Sequence, residues 1–186
     1  MVGLSGLWMP IVLSAVIAFV VSSLIHMVIG WHKGDYHAPP GEPAISDALR
    51  PFNLAPGEYI LPYAGDMKTM GTPEFQSRLA RGPNVIMTVR PNGPGSMGAM
   101  LGQWFVYQLV VSVFAAYVTG RSLGQGADYL QVFRIAGAVT FCCYAVGHWQ
   151  YKIWWGKGTR STITNTIDGL VYALVTAGTF GWLWPR

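Results

Sequence analysis

The side chains best able to do chemistry in this chain are histidines and an aspartate placed inside apolar runs. His26 lies near the end of the first run, His148 near the end of the third and Asp168 near the start of the fourth. A charged group at the centre of a membrane helix costs about 2.5–3.5 kcal/mol on insertion scales, so each such residue needs a physical reason to be there. If the runs cross a membrane, the three share a depth, roughly 5–10 Å inside one face at about 1.5 Å per residue. Two readings compete. In one, His26 and His148 bind a haem iron, another macrocycle or a metal ion, with Asp168 as supporting partner. In the other, neutral histidines and the aspartate hydrogen-bond to one another, to backbone or to interfacial water. Two histidines do not complete a metal site, and an aspartate near a helix start is favoured by the helix dipole, so the second reading requires less.

Two further sets have ligand-like residue types. His32, Asp35 and His37 combine imidazole with carboxylate, which suits zinc or a harder transition metal, although Gly34 loosens the spacing and Trp31-His32-Lys33 also reads as an interfacial anchor. Met67 with Met70, and Met97 with Met100, form two M-x-x-M pairs whose thioethers, with histidine, suit Cu(I). As flexible apolar side chains they equally fill gaps at a membrane face. Gly93-Pro94-Gly95-Ser96-Met97-Gly98 lacks the Gly-Lys-Ser/Thr ending of a phosphate-binding loop and reads as a flexible lead-in. Cys142 and Cys143 are adjacent within an apolar run and are expected as buried small hydrophobes, not as a disulfide framework. No nucleophile elbow, zincin helix or paired-carboxylate site is present.

Composition sets the elements that must position these groups. The chain has 186 residues, 52% hydrophobic and 11% charged, with mean hydropathy +0.35, whereas soluble domains carry roughly 25% charged residues. Four apolar stretches, residues 7–30, 102–120, 129–151 and 163–184, have the roughly 20-residue length that crosses a hydrocarbon core as a helix. The first has no Lys or Arg ahead of it and is too long for a signal-peptide core, so it is expected as a retained span. Tryptophan supports the assignment: Trp8, Trp182 and Trp184 fall at one interface, and Trp31, Trp104, Trp149, Trp154 and Trp155 at or near the other. Arg134 lies close enough to an interface to snorkel. The expected fold is an all-α integral membrane protein: a four-helix transmembrane bundle, with residues 1–30 as span 1, residues 31–101 as a small α/β extramembrane cap, and residues 102–186 as spans 2–4.

Lys152, Lys157 and Arg160 in the short connection between the last two spans, and Lys33 after the first, place that side in the cytoplasm. The expected topology has termini outside and residues 31–101 cytoplasmic, which counts against copper capture from outside. The net charge of +4 follows membrane flanks and shows no basic stripe with interleaved aromatics, so no nucleic-acid partner is expected. In the cap, Thr72-Pro73-Glu74 starts a helix that Arg78, Arg81 and Gly82 end, residues 58–63 and 84–90 are strand-like, and residues 43–50 suit another helix. Small residues four apart, Ser14, Ala18 and Ser22, then Ser112, Ala116 and Gly120, then Gly169, Ala173, Ala177 and Gly181, mark faces for close helix packing within the bundle or between copies. No internal repeat supports an inverted-repeat transporter.

The stretches MVGLSGLWMPIVLSAV, IHMVIGWHKGDY, GTPEF, MTVRPNG, LGQWF and DGLVYALVTAGTFGWLWPR run from one end of the chain to the other. On these the chain resembles an uncharacterised family of small bacterial membrane proteins with no assigned activity. The resemblance implies a bacterial inner-membrane setting and no mechanism. The leading functional expectation is a non-enzymatic accessory or scaffold component of a membrane assembly, in contact with the bilayer and with other subunits or copies of itself. The alternative is a haem- or metal-binding redox or metal-handling protein using His26 and His148.

Overall fold

Pro10 falls in the first turn of the first long helix, where a missing backbone N–H has no intrahelical acceptor to lose. A 3₁₀ turn, Leu4–Leu7, leads into α1 (Trp8–Leu24), which continues as a π-helical turn, Ile25–Ile29, and stops at Gly30 in the left-handed region (φ +65°). The chain then reverses through a second 3₁₀ turn, Trp31–Gly34. The computed structural model describes residues 1–186, divided into one unit of residues 1–37 and 96–186 and another of residues 38–95.

The smaller unit contains α2 (Glu42–Leu49), β1 (Gly57–Leu61), α3 (Met67–Met70), α4 (Pro73–Arg81) and β2 (Val85–Val89). The two strands pair antiparallel, with Tyr59 opposite Met87. Helix α4 forms where its start and stop residues predict: Thr72 Oγ1 accepts the Phe75 N–H at 3.3 Å, and Gly82 (φ +64°) ends the helix. Phe75 is buried beneath it. Asp66 caps α3 in the same way, accepting the Thr69 N–H at 2.6 Å.

In the larger unit, α5 (Met97–Ser122) begins ahead of the expected residue 102 because Ser96 Oγ accepts the Ala99 N–H at 3.2 Å; Met97 and Gly98 are therefore helical. Helix α6 (Tyr129–Phe141) passes through a π turn, Cys142–Val146, into α7 (Gly147–Trp155), which Gly156 (φ +65°) terminates. Last comes α8 (Thr159–Trp182). Helix α1 packs on α5 and α8, and α6 packs on the same two.

This unit is apolar outside, and its mainly apolar interior also holds buried polar side chains. Val12, Val16, Val20, Val110, Phe114 and Leu174 are exposed, while Ser14, Gln108, Ser112, Thr119, Thr140 and Thr176 are buried. Such an arrangement suits lipid, where buried polar groups must find partners among helices and the outer face needs none. The Ser14 and Ser112 hydroxyls meet at 3.0 Å, and the Tyr144 hydroxyl donates to Gln108 Oε1. Three helical stretches, Leu4–Ile29, Met97–Ser122 and Tyr129–Trp155, are long and apolar enough to cross a membrane. Helix α8 matches them in length at 24 residues but not in hydropathy, because its first ten positions include Arg160, Asn165, Asp168 and five serines and threonines. The sequence places Cys142 and Cys143 in a buried setting; both are exposed, while Tyr144 and Ala145 of the same π turn are the residues that face inward.

The small-residue faces point inward. Ser14, Ala18, Ser22, Ser112, Ala116, Gly120, Gly169, Ala173 and Ala177 are buried and Gly181 is partly so. A Cβ on Gly169 would lie 2.8 Å from Ala145 Cβ and 3.0 Å from Ala145 Cα, and one on Gly181 would lie 2.6 Å from the Tyr129 ring. At Gly120 it would strike the Val2 carbonyl, because the Val2 N–H donates to Gly120 O at 2.7 Å.

Candidate metal centre

The left-handed turn at Gly30 aims the next residues back at α8. Trp31 donates its indole N–H to Asp168 Oδ1 at 3.0 Å, and His32 Nε2 lies 2.7 Å from Asp168 Oδ2. On its other side, His32 Nδ1 lies 2.7 Å from Asp35 Oδ2. Asp35 Oδ2 also accepts the Thr164 hydroxyl at 3.0 Å, and Arg160 Nε stands 3.8 Å from Oδ1. Both carboxylates are almost completely enclosed, with side-chain exposures of 3% for Asp35 and 4% for Asp168. Gly34 lies against Arg160: a Cβ would come 2.8 Å from its Nε, so that largely exposed side chain would have to shift.

His26 reaches the same carboxylate from α1. Its ring stacks on His32, with centroids 4.6 Å apart and planes at 10°, and its Nε2 lies 3.9 Å from Asp168 Oδ2. Its Nδ1 is 2.9 Å from Ser22 O. A carbonyl only accepts, so Nδ1 carries a proton, and the tautomer of a neutral ring that this contact selects has its lone pair on Nε2. The nearest ligand atoms of His26, His32 and Asp168 all lie within 4.8 Å of one another.

Without a metal, His32 faces a carboxylate oxygen at each nitrogen, so both nitrogens carry protons and the ring is an imidazolium. Burial lowers its proton affinity, but the hydrogen bonds to Asp35 and Asp168, with their charges, outweigh that and hold its pKa above the usual 6.5. For Asp35, burial pushes the pKa up, and the hydrogen bonds from His32 and Thr164 with the charges of His32 and Arg160 bring it below the usual 3.8.

The site opens into a cavity of about 780 Å³ between α1, α5, α8 and the turn before α7. Trp104, Tyr107, Tyr144 and Tyr172 form much of its wall, and His26, Asn165 and Asp168 stand at its polar end.

These positions rearrange the sequence-derived candidates. His26 and Asp168 come together as expected from their depth. His148 lines the same cavity but does not join the three converging donors. His32 does join them, which the sequence reading assigned to a separate set with Asp35 and His37; the reversal signalled by Gly30 was the available clue. His37 is exposed and outside the cluster. Asp168 is not near a helix start, because α8 begins at Thr159; its burial is explained by Trp31 and His32 rather than by the dipole. Met97 and Met100 line the cavity, whereas Met67 and Met70 belong to the smaller unit and are exposed. No protein-family model, curated protein or solved structure matches this chain.

Proposed function

We propose that this chain is a membrane protein that binds one divalent first-row metal ion through His26 Nε2, His32 Nε2 and Asp168 Oδ2. One observation carries the reading: each of the three donors already has a second partner holding it in place. His32 Nδ1 is held by Asp35, His26 Nδ1 by Ser22 O and Asp168 Oδ1 by Trp31. Metal-binding histidines characteristically donate the other ring N–H to a carboxylate or backbone carbonyl, and this fixes the tautomer that binds.

The distances are compatible. Bonds of about 2.0–2.1 Å to a tetrahedral ion separate neighbouring ligands by about 3.4 Å, and the donor pairs at 2.7 and 3.9 Å bracket that value. Binding requires His32 to give up its Nε2 proton and the stacked rings to splay. His26, with a side chain 52% exposed, can pivot about its Nδ1 contact to Ser22 O while Asp35 holds His32. Two imidazoles and one carboxylate leave a coordination position open, as in catalytic zinc sites and non-haem Fe(II) sites. That position would face the cavity.

The test is a titration of stripped protein with Co²⁺ and Zn²⁺, beside metal analysis of protein extracted from its own membranes. The expected result is one equivalent of metal in the parent and none in Asp168→Ala or His26→Ala. Full binding by either variant would overturn the proposal.

The proposed topology has four spans, with α8 as the fourth, in a bacterial inner membrane. Helix α8 is about 36 Å long at about 1.5 Å per residue and packs on α1 and α6, which belong to the span-length stretches Leu4–Ile29 and Tyr129–Trp155. With the Lys and Arg bias of the flanks, that count would have both termini outside and residues 31–101 in the cytoplasm. Labelling of a cysteine introduced at Asp66 from outside intact cells would reverse the orientation. The scaffold expectation rested on the small-residue faces, which are occupied within this chain, so a scaffold role would have to use other surfaces.

A further inference from the structure

We infer that the aromatic cavity beside the His26–His32–Asp168 cluster binds a neutral, lipid-soluble molecule of the quinone class, with the Tyr172 hydroxyl donating to a ring oxygen. This goes beyond the metal reading and does not depend on it.

The cavity's volume, about 780 Å³, lies within the range of about 300–1,000 Å³ typical of small-molecule sites. Its walls are flat rings. Trp104 and Tyr107 stack at 5.4 Å, Trp104 meets Tyr172 edge-on at 6.1 Å, and Tyr144 meets Tyr172 edge-on at 5.5 Å. Flat walls with edge and face contacts match a planar conjugated ring better than a saturated chain, for which aliphatic side chains would serve equally. The Tyr172 hydroxyl is the second indication. Tyr172 is 3% exposed and lines the cavity, and its hydroxyl has no hydrogen-bond partner. A buried hydroxyl left unpaired costs about 1–3 kcal/mol, so an acceptor from a ligand would remove a standing penalty.

Access narrows the class. Met27, Met97 and Leu101 at the cavity are exposed on span-length helices, so a molecule dissolved in hydrocarbon meets apolar side chains on its way in. In metal-free protein, Nε2 of a neutral His26 at the polar end can accept from a hydroxyl of the quinol form. The quinone form, whose two ring oxygens only accept, pairs with the Tyr172 hydroxyl.

The experiment uses full-length protein in lipid nanodiscs, treated with EDTA so that failure of the metal site leaves it unaffected. An azido-substituted short-chain quinone is photolysed and the adducts are mapped by peptide mass spectrometry. Adducts are expected in residues 97–107 and 165–172, suppressed by excess decyl-ubiquinone but not by dodecanol. Tyr172→Phe, which keeps the ring and its packing, should weaken competition by decyl-ubiquinone by about three- to tenfold, the loss of one ordinary hydrogen bond. Adducts spread over other segments, equal displacement by dodecanol, or a Tyr172→Phe variant that competes like the parent would each overturn the inference.

Discussion

Replacing Asp35 by asparagine isolates the contribution of a residue that would touch no metal. The Asp35 carboxylate holds His32 through a 2.7 Å contact to Nδ1 in a side chain only 3% exposed. A hydrogen bond to a charged group contributes about 1.5–3 kcal/mol, and a neutral amide oxygen in the same place retains about half. The loss is then about 0.8–1.5 kcal/mol from the hydrogen bond alone, or roughly four- to tenfold in affinity at about 1.4 kcal/mol per decade. Lower basicity of His32 toward the metal adds to this, and comparable outer partners in other metal sites contribute about 10–100-fold. Asp35→Asn should therefore weaken Co²⁺ binding by about tenfold or somewhat more. The titration belongs near pH 8.5 or above, well past the ordinary histidine range of about 6.5, so that a change in proton competition at His32 does not mask the effect. His148→Ala, which removes a cavity-lining side chain outside the three donors, should stay within about threefold of the parent, because no ligand bond is lost. Unchanged affinity in Asp35→Asn, or a loss in His148→Ala as large as in His26→Ala, would refute the assignment of roles.

Other consequences can be checked in the same preparations. The stability contributed by the His32 contacts in metal-free protein is fully present below the usual 6.5 and is lost as pH rises through the elevated folded value; that of Asp35 is present above 3.8 and is lost as pH falls through its lowered folded value. Thermal denaturation followed against pH should show the metal-free protein losing stability on both sides of that window, and the upper loss should vanish in an Asp35→Asn, Asp168→Asn double variant. Gly169→Ala places a methyl 2.8 Å from Ala145 Cβ, and since backbone as well as side chain must yield, a cost of about 1–3 kcal/mol is expected in a reversible unfolding assay. Gly102→Ala, with nothing within 4 Å of the added carbon, should be neutral or stabilising by up to about 1 kcal/mol. Thr72→Ala removes the acceptor for the Phe75 N–H and should destabilise α4 by about 1 kcal/mol, read as faster amide exchange at Phe75.

Much of the local structure follows from side-chain patterns that act over a few residues. The apolar runs predict the long helices, and Thr72, Pro73 and Gly82 predict both ends of α4, because capping and hydrophobic length are properties of neighbours in the chain. The depth argument brought His26 and Asp168 to one level of the membrane for the same reason, since rise per residue is constant along a helix. Where α8 begins was missed: the polar stretch from Thr159 looks like a loop by composition, yet it is helical, and its Thr164 and Asp168 find partners in the Trp31–Asp35 turn.

The candidate centre was decided by tertiary structure. His32 and Asp168 are 136 positions apart; Gly30 signals locally that the chain turns, but not that the turn lands on α8. One φ angle of +65° at Gly30 sets that direction, and a stacked pair of histidines over a buried carboxylate is its result. Likewise, the sequence alone determined that small residues would form packing faces, but only the packed helices determined that those faces are used inside one chain. Residue types and their spacing fix what each helix can offer; which groups meet depends on rotation about each helix axis and on the path of the turns, and these emerge only when the helices pack together.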